Sequence, residues 1–123
     1  RLNAQPDSLI VPLSDARGNE AGWLCLTADH SRVLDGAIEP LCAAGRWAYG
    51  VEQRGDGAAA LYCIDLETGE TRPLTDEASL SLALTDGRWL YTCRMWGTGS
   101  ASCWEIACDA EGRPEALEYV GEV

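Results

Sequence analysis

The residues in this chain of 123 that could do chemistry are one imidazole, His30, and six thiols, at Cys25, Cys42, Cys63, Cys93, Cys103 and Cys108. Zinc needs several thiolates or imidazoles converging on a tetrahedron, usually from short paired spacings. The sequence has no Cys-x-x-Cys pair, and Cys103 with Cys108 is an uncommon spacing, so no metal is expected. A triad needs its His beside a nucleophile and an orienting acid. His30 instead stands in Asp29-His30-Ser31, a turn. There is no Gly-x-Ser-x-Gly elbow, P-loop or dinucleotide fingerprint, and the acids are scattered rather than gathered into a calcium loop. We therefore assign no catalytic residue and no cofactor.

Two features could bind. Arg54-Gly55-Asp56 holds a cation and a carboxylate apart, as adhesion ligands do, although Gly-Asp-Gly is also what a tight turn selects for conformational reasons. Trp96 borders the Gly-rich stretch Gly97-Thr98-Gly99 and is a candidate for ligand contact.

The surface chemistry narrows the partners. Twenty acids against nine cations, all of them Arg, give a formal net charge of -11. Phosphate backbones and anionic membranes recruit clustered Lys and Arg, so nucleic acid is excluded as a partner. No run approaches the roughly 18 apolar residues of a membrane span, so no membrane insertion is expected.

The elements that must carry these residues are repeated. Gly45-Arg46-Trp47-Ala48-Tyr49 recurs as Gly87-Arg88-Trp89-Leu90-Tyr91. The same offset lays Leu61-Tyr62-Cys63-Ile64 on Cys103-Trp104-Glu105-Ile106. A fainter copy places Asp7-Ser8-Leu9-Ile10-Val11 on Gly45 to Tyr49, and Cys25 on Cys63. Three units result, approximately 1–37, 38–79 and 80–123.

Each unit reads as short strands. Ser79 to Leu84 alternates with period 2, Thr85-Asp86-Gly87 is turn chemistry, and Arg88 to Met95 and Cys103 to Cys108 are apolar runs ahead of a last strand at Glu115 to Val120. Glu, Ala and Leu at Asp76 to Leu84 would tolerate a helix. The alternation there, and Pro40 in the equivalent stretch, favour strand. Trp47, Tyr49, Trp89 and Tyr91 are expected to pack between neighbouring sheets. Equivalent thiols such as Cys25 and Cys63 would stand about 10 Å apart and stay unbonded. Cys93 and Cys103 lie on the two arms of one hairpin, and a loop centred near Thr98 would bring them within reach of a disulfide; two buried thiols are the alternative.

Four antiparallel strands every 40 or so residues are the signature of a β-propeller blade. Thr85-Asp86-Gly87-Arg88-Trp89-Leu90-Tyr91, and Leu61-Tyr62-Cys63-Ile64-Asp65 with Thr68-Gly69 and Leu74-Thr75, resemble the TolB-like propeller repeats, clearly over 38–120 and faintly over 1–37. The expected fold is all-β: three tandem four-stranded antiparallel blades, part of a propeller, with a small β-sandwich as the alternative. Three blades are too few for a closed ring, so a fragment of a longer propeller is expected, one that could self-associate through its open blade edges. The resemblance implies a non-catalytic binding or scaffolding module, with a protein or small-molecule partner, in an extracytoplasmic protein of the periplasm or cell surface. The alternatives are the propeller domain of a hydrolase whose catalytic domain lies elsewhere, and an adhesion ligand acting through Arg54-Gly55-Asp56.

Overall fold

The computed structural model describes residues 8–53, 58–78, 80–94 and 101–122, so the tripeptide Arg54-Gly55-Asp56 and Trp96 lie outside the described residues. Within them the chain is all strand and turn; Asp76 to Ala78 end one strand and Leu80 to Leu84 lie in the next. The strands are β1 (Ser8–Ser14), β2 (Glu20–Thr27), β3 (Ser31–Leu34), β4 (Glu39–Ala44), β5 (Trp47–Gln53), β6 (Ala58–Asp65), β7 (Thr71–Ala78), β8 (Leu80–Thr85), β9 (Trp89–Arg94), β10 (Ser102–Cys108) and β11 (Pro114–Glu122).

These form three antiparallel sheets, each running through its strands in chain order: β1-β2-β3, β4-β5-β6-β7 and β8-β9-β10-β11. The first has three described strands where four were expected. Residues 1–7, ahead of β1, are outside the described residues.

Turn chemistry sets the connections. Asp15, Asp86 and Asp109 each use one carboxylate oxygen to accept two backbone N–H groups of the turn that follows. Those hydrogen bonds hold the three carboxyls below the usual carboxylate range. Much of the acidity is therefore structural. Gly45 and Gly87, which open the repeated Gly-Arg-Trp, have φ of 61° and 100°, a region that favours glycine.

The sheets stack face to face with the second in the middle. Alternation along a strand sends successive side chains to opposite faces. From the second sheet, Cys42, Tyr49, Val51, Leu61 and Cys63 pack against Ala83, Leu90 and Ile106 of the third. Its other face presents Ala43, Ala48, Ile64 and Leu66 to Cys25 and Leu34 of the first. Tyr49, Ala48, Leu61 and Ile64 are all fully buried, as a sheet covered on both sides requires.

Register corrects the repeat alignment in two places. Ile10, not Val11, faces Cys25 as Tyr49 faces Cys63, so the first unit is displaced by one residue. In the third unit Trp89 faces Glu105 where Trp47 faces Asp65. The β9–β10 connection is thus two residues shorter than β5–β6, and Cys103 takes the place of Cys63 opposite the tyrosine only through that shortening.

Close approach at one glycine limits substitution. A Cβ at Gly50 would lie 2.5 Å from the Glu39 carbonyl oxygen and 2.8 Å from Ile38 Cγ2, with backbone on the crowded side. Gly50→Ala is expected to destabilise the chain by about 2 kcal/mol, the usual cost of overpacking a filled site. Urea denaturation measures it, and an unchanged midpoint would mean that β4 and β5 are further apart than described.

Candidate functional site

A cavity opens between the first and second sheets, and at the turn end of the second sheet lies the strongest polar cluster. Its centre is Arg46, on the β4–β5 turn, which meets Asp65 at the end of β6 in a two-pronged pair. Nε lies 2.8 Å from Oδ1 and Nη2 lies 2.7 Å from Oδ2. Asp65 is 5% exposed. It also accepts the Glu67 backbone N–H at 2.9 Å, so its charge is met on several sides. The hydrogen-bonded guanidinium holds the Asp65 carboxyl far below the usual carboxylate range, against the opposing effect of burial. Arg46 in turn covers the Trp47 ring at 4.8 Å, and its Nε lies 3.3 Å from Glu67 Oε2.

The third sheet carries the same arrangement in weaker form. Arg88 covers Trp89 at 5.0 Å, and its Nη2 lies 3.5 Å from Glu105 Oε2. The Arg88 side chain is 72% exposed, so solvent screens that pair.

A second pair of arginines ties sheet to sheet. Arg32 of β3 stands opposite Cys25, and Arg72 of β7 stands opposite Cys63. Arg32 crosses to the next sheet's turn, donating from Nε to the Leu66 carbonyl at 3.0 Å and from Nη2 to the Glu67 carbonyl at 2.8 Å. Arg72 does the same one sheet later, donating to the Pro114 carbonyl at 3.1 Å and lying 3.6 Å from Asp109 Oδ2.

Beside Arg32 lies a groove of about 520 Å³, the size of an ordinary small-ligand site. It lies where β3 ends at Leu34 and the following turn faces Glu52, Tyr62, Ile64 and Thr71 of the second sheet. Beyond Leu34, therefore, the first sheet does not cover the face of the second. Arg32, Asp35, Glu52, Tyr62 and Thr71 supply its polar lining, and Leu34, Ile38 and Ile64 its apolar floor. A Cβ at Gly69, on the same wall, would lie 3.0 Å from Arg32 Nη1. The sequence carried a signal for this groove, since Asp35-Gly36 ends β3 early. No single lining residue is unusual in type.

The earlier candidates fall elsewhere. His30 sits on the β2–β3 turn with Nε2 4.0 Å from Glu67 Oε2, while its Nδ1 is buried and has no hydrogen-bond partner among the described residues. Cys93 and Cys103 are not joined in a disulfide. Tyr91 faces Cys103 and Thr92 faces Ser102, so the two cysteines are diagonal neighbours, roughly 7–8 Å apart, and not cross-strand partners. Trp104 packs edge to face on Tyr119, with ring centres 5.2 Å apart, and donates from Nε1 to Thr92 Oγ1 at 3.0 Å. Among the described residues no group of three or more His, Cys, Asp or Glu could hold a metal ion. No described helix is long and apolar enough to cross a membrane.

No family model, curated protein or solved structure matches this chain.

Asp65→Ala should cost about 2 kcal/mol, below the full cost of breaking a buried pair because the Arg46 side chain is 36% exposed. Glu105→Ala should cost less than about 0.5 kcal/mol. Because folding depresses the Asp65 pKa, its contribution is complete above the ordinary carboxylate value and is lost as pH falls below about 4 toward the folded value. Asp65→Asn should flatten the acid limb of a stability–pH curve measured by urea denaturation, and an unchanged acid limb would contradict the pair. Burial pushes the Cys42 and Cys63 thiols up to about 12, whereas Cys108 is exposed. A disulfide reagent should label Cys108 rapidly in the native chain and Cys42 and Cys63 only on unfolding; mass mapping of the labelled peptides reads this.

Proposed function

We propose that the chain is a non-catalytic binding module. In this reading the three sheets are consecutive blades of a TolB-like β-propeller of an extracytoplasmic protein, and the groove between the first and second sheets takes an extended peptide segment of a partner protein. The groove carries the reading. It offers a guanidinium already held in place by two backbone carbonyls, carboxylates at Asp35 and Glu52, and an apolar floor. Prepositioned polar groups over an apolar floor suit orientation and recognition of a ligand. The wall formed by β3 is also an edge: among the described residues β3 pairs only with β2, leaving backbone groups on its far side for an added strand.

The propeller reading draws support from the way one sheet follows the next in chain order, each strapped by an arginine to the turn of its successor. The compartment rests on the resemblance to TolB-like repeats.

Selection of a displayed random peptide library on the immobilised chain tests the groove. Selected peptides should lose tenfold or more in affinity, about 1.4 kcal/mol, on Thr71→Arg, which fills the groove from an exposed position, and on Arg32→Gln. They should keep their affinity on Glu115→Ala, on the distant β11. Peptides that bind all three variants as tightly as the parent chain would overturn the reading.

A further inference from the structure

The three described sheets build one kind of joint twice and leave both halves of it open at the two ends of the stack. At the joint between the first and second sheets, the Ile10–Cys25 row meets Ala48, Ile64 and Leu66. Between the second and third sheets, the row Cys42–Tyr49–Cys63 meets Leu90 and Ile106. The receiving faces are equivalent by position and by hydrogen bonding. Ala48 and Leu90 are the second residues of β5 and β9, and the Leu66 and Ile106 N–H groups donate to the Arg46 and Arg88 carbonyls at 2.8 and 3.0 Å.

Continuing the pattern outward identifies the unpartnered halves. On the third sheet, Leu84, Tyr91 and Cys103 form the cross-strand row that corresponds to Cys42, Tyr49 and Cys63. Cys42 is 5% exposed and Leu84 is 73% exposed. Tyr49 is buried and Tyr91 half-buried, beside a shallow, almost wholly apolar hollow of about 210 Å³. On the first sheet, Leu9 and Leu26 face each other as Ala48 and Ile64 do. Ala48 is fully buried, whereas Leu9 is 56% exposed.

We propose that these two faces are the halves of an intermolecular joint, in which the Leu84–Tyr91 face of one copy receives the Leu9–Leu26 face of a second. The occupant is a second copy of this chain because the chain carries both complementary surfaces and already pairs their equivalents twice within itself. Contact between unlike faces is heterologous, so it continues head to tail from copy to copy until it closes into a ring or is capped.

The unlike faces give a decisive mixing experiment. By sedimentation velocity the parent chain should show concentration-dependent association beyond a dimer. Leu84→Asp and Leu9→Asp should each be monomeric alone, because each lacks one half of the joint. Mixed at equal concentrations they should form a dimer of one copy each and nothing larger, because only one intact pair of faces remains. A parent chain that stays monomeric up to its solubility limit overturns the proposal. So does a mixture that stays monomeric, and so does association abolished by one substitution and untouched by the other, which would indicate a contact between like faces. Both positions are exposed, so folding should survive, and far-UV circular dichroism checks it. If either variant has lost its strand signal, Leu84→Ser and Leu9→Ser carry the same test.

Discussion

A sheet buried on both faces must be apolar in both of its alternating sets of side chains, and the middle sheet of this protein meets that demand in β5 and β6. Ala48, Tyr49 and Val51 on one strand, and Leu61, Cys63 and Ile64 on the other, are all buried, though successive residues point to opposite neighbours. The outer sheets are packed on one described face only, and they carry the exposed Leu9, Val33 and Leu84. The double burial at the centre also excludes charge from the strand interiors. Polar chemistry is pushed to strand ends, where Arg46, Asp65, Arg32 and Arg72 act as ties between turns.

Those ties differ in value according to their exposure. Arg46 and Asp65 meet where the carboxylate is almost sealed from water, so removing one partner strands the other. The equivalent Arg88 and Glu105 meet in solvent, where screening leaves little. One sequence motif, Gly-Arg-Trp, thus does different energetic work in two sheets. The partner carboxylate and its burial decide the difference.

Much of the strand layout was legible in the sequence because period-2 alternation and Gly or Asp turns are local signals. Leu80 to Thr85 and Trp89 to Arg94 are strands where alternation and aromatic content placed them. Register was less legible. The shift of Ile10 for Val11, and the position of Glu105 opposite Trp89, depend on connection lengths that side-chain pattern does not encode. The candidate site was hardest to see. Arg32, Asp35, Glu52, Tyr62 and Thr71 are ordinary residues spread from 32 to 71 along the chain, and the packing of the first sheet on the second brings them to one groove. Signals that were conspicuous in the sequence lead elsewhere: His30 occupies a turn, and Cys25, Cys42 and Cys63 occupy packed faces.

The stack requires the second sheet to be covered by the other two. Native-state amide hydrogen exchange tests this most directly, because protection follows burial and cooperative opening. The slowest-exchanging amides should lie in β5 and β6, from Ala48 to Val51 and from Leu61 to Ile64, with exchange faster toward β1, β3 and β11. Slowest exchange in the first or third sheet, or equal protection in all three, would contradict a stack with the second sheet at its centre.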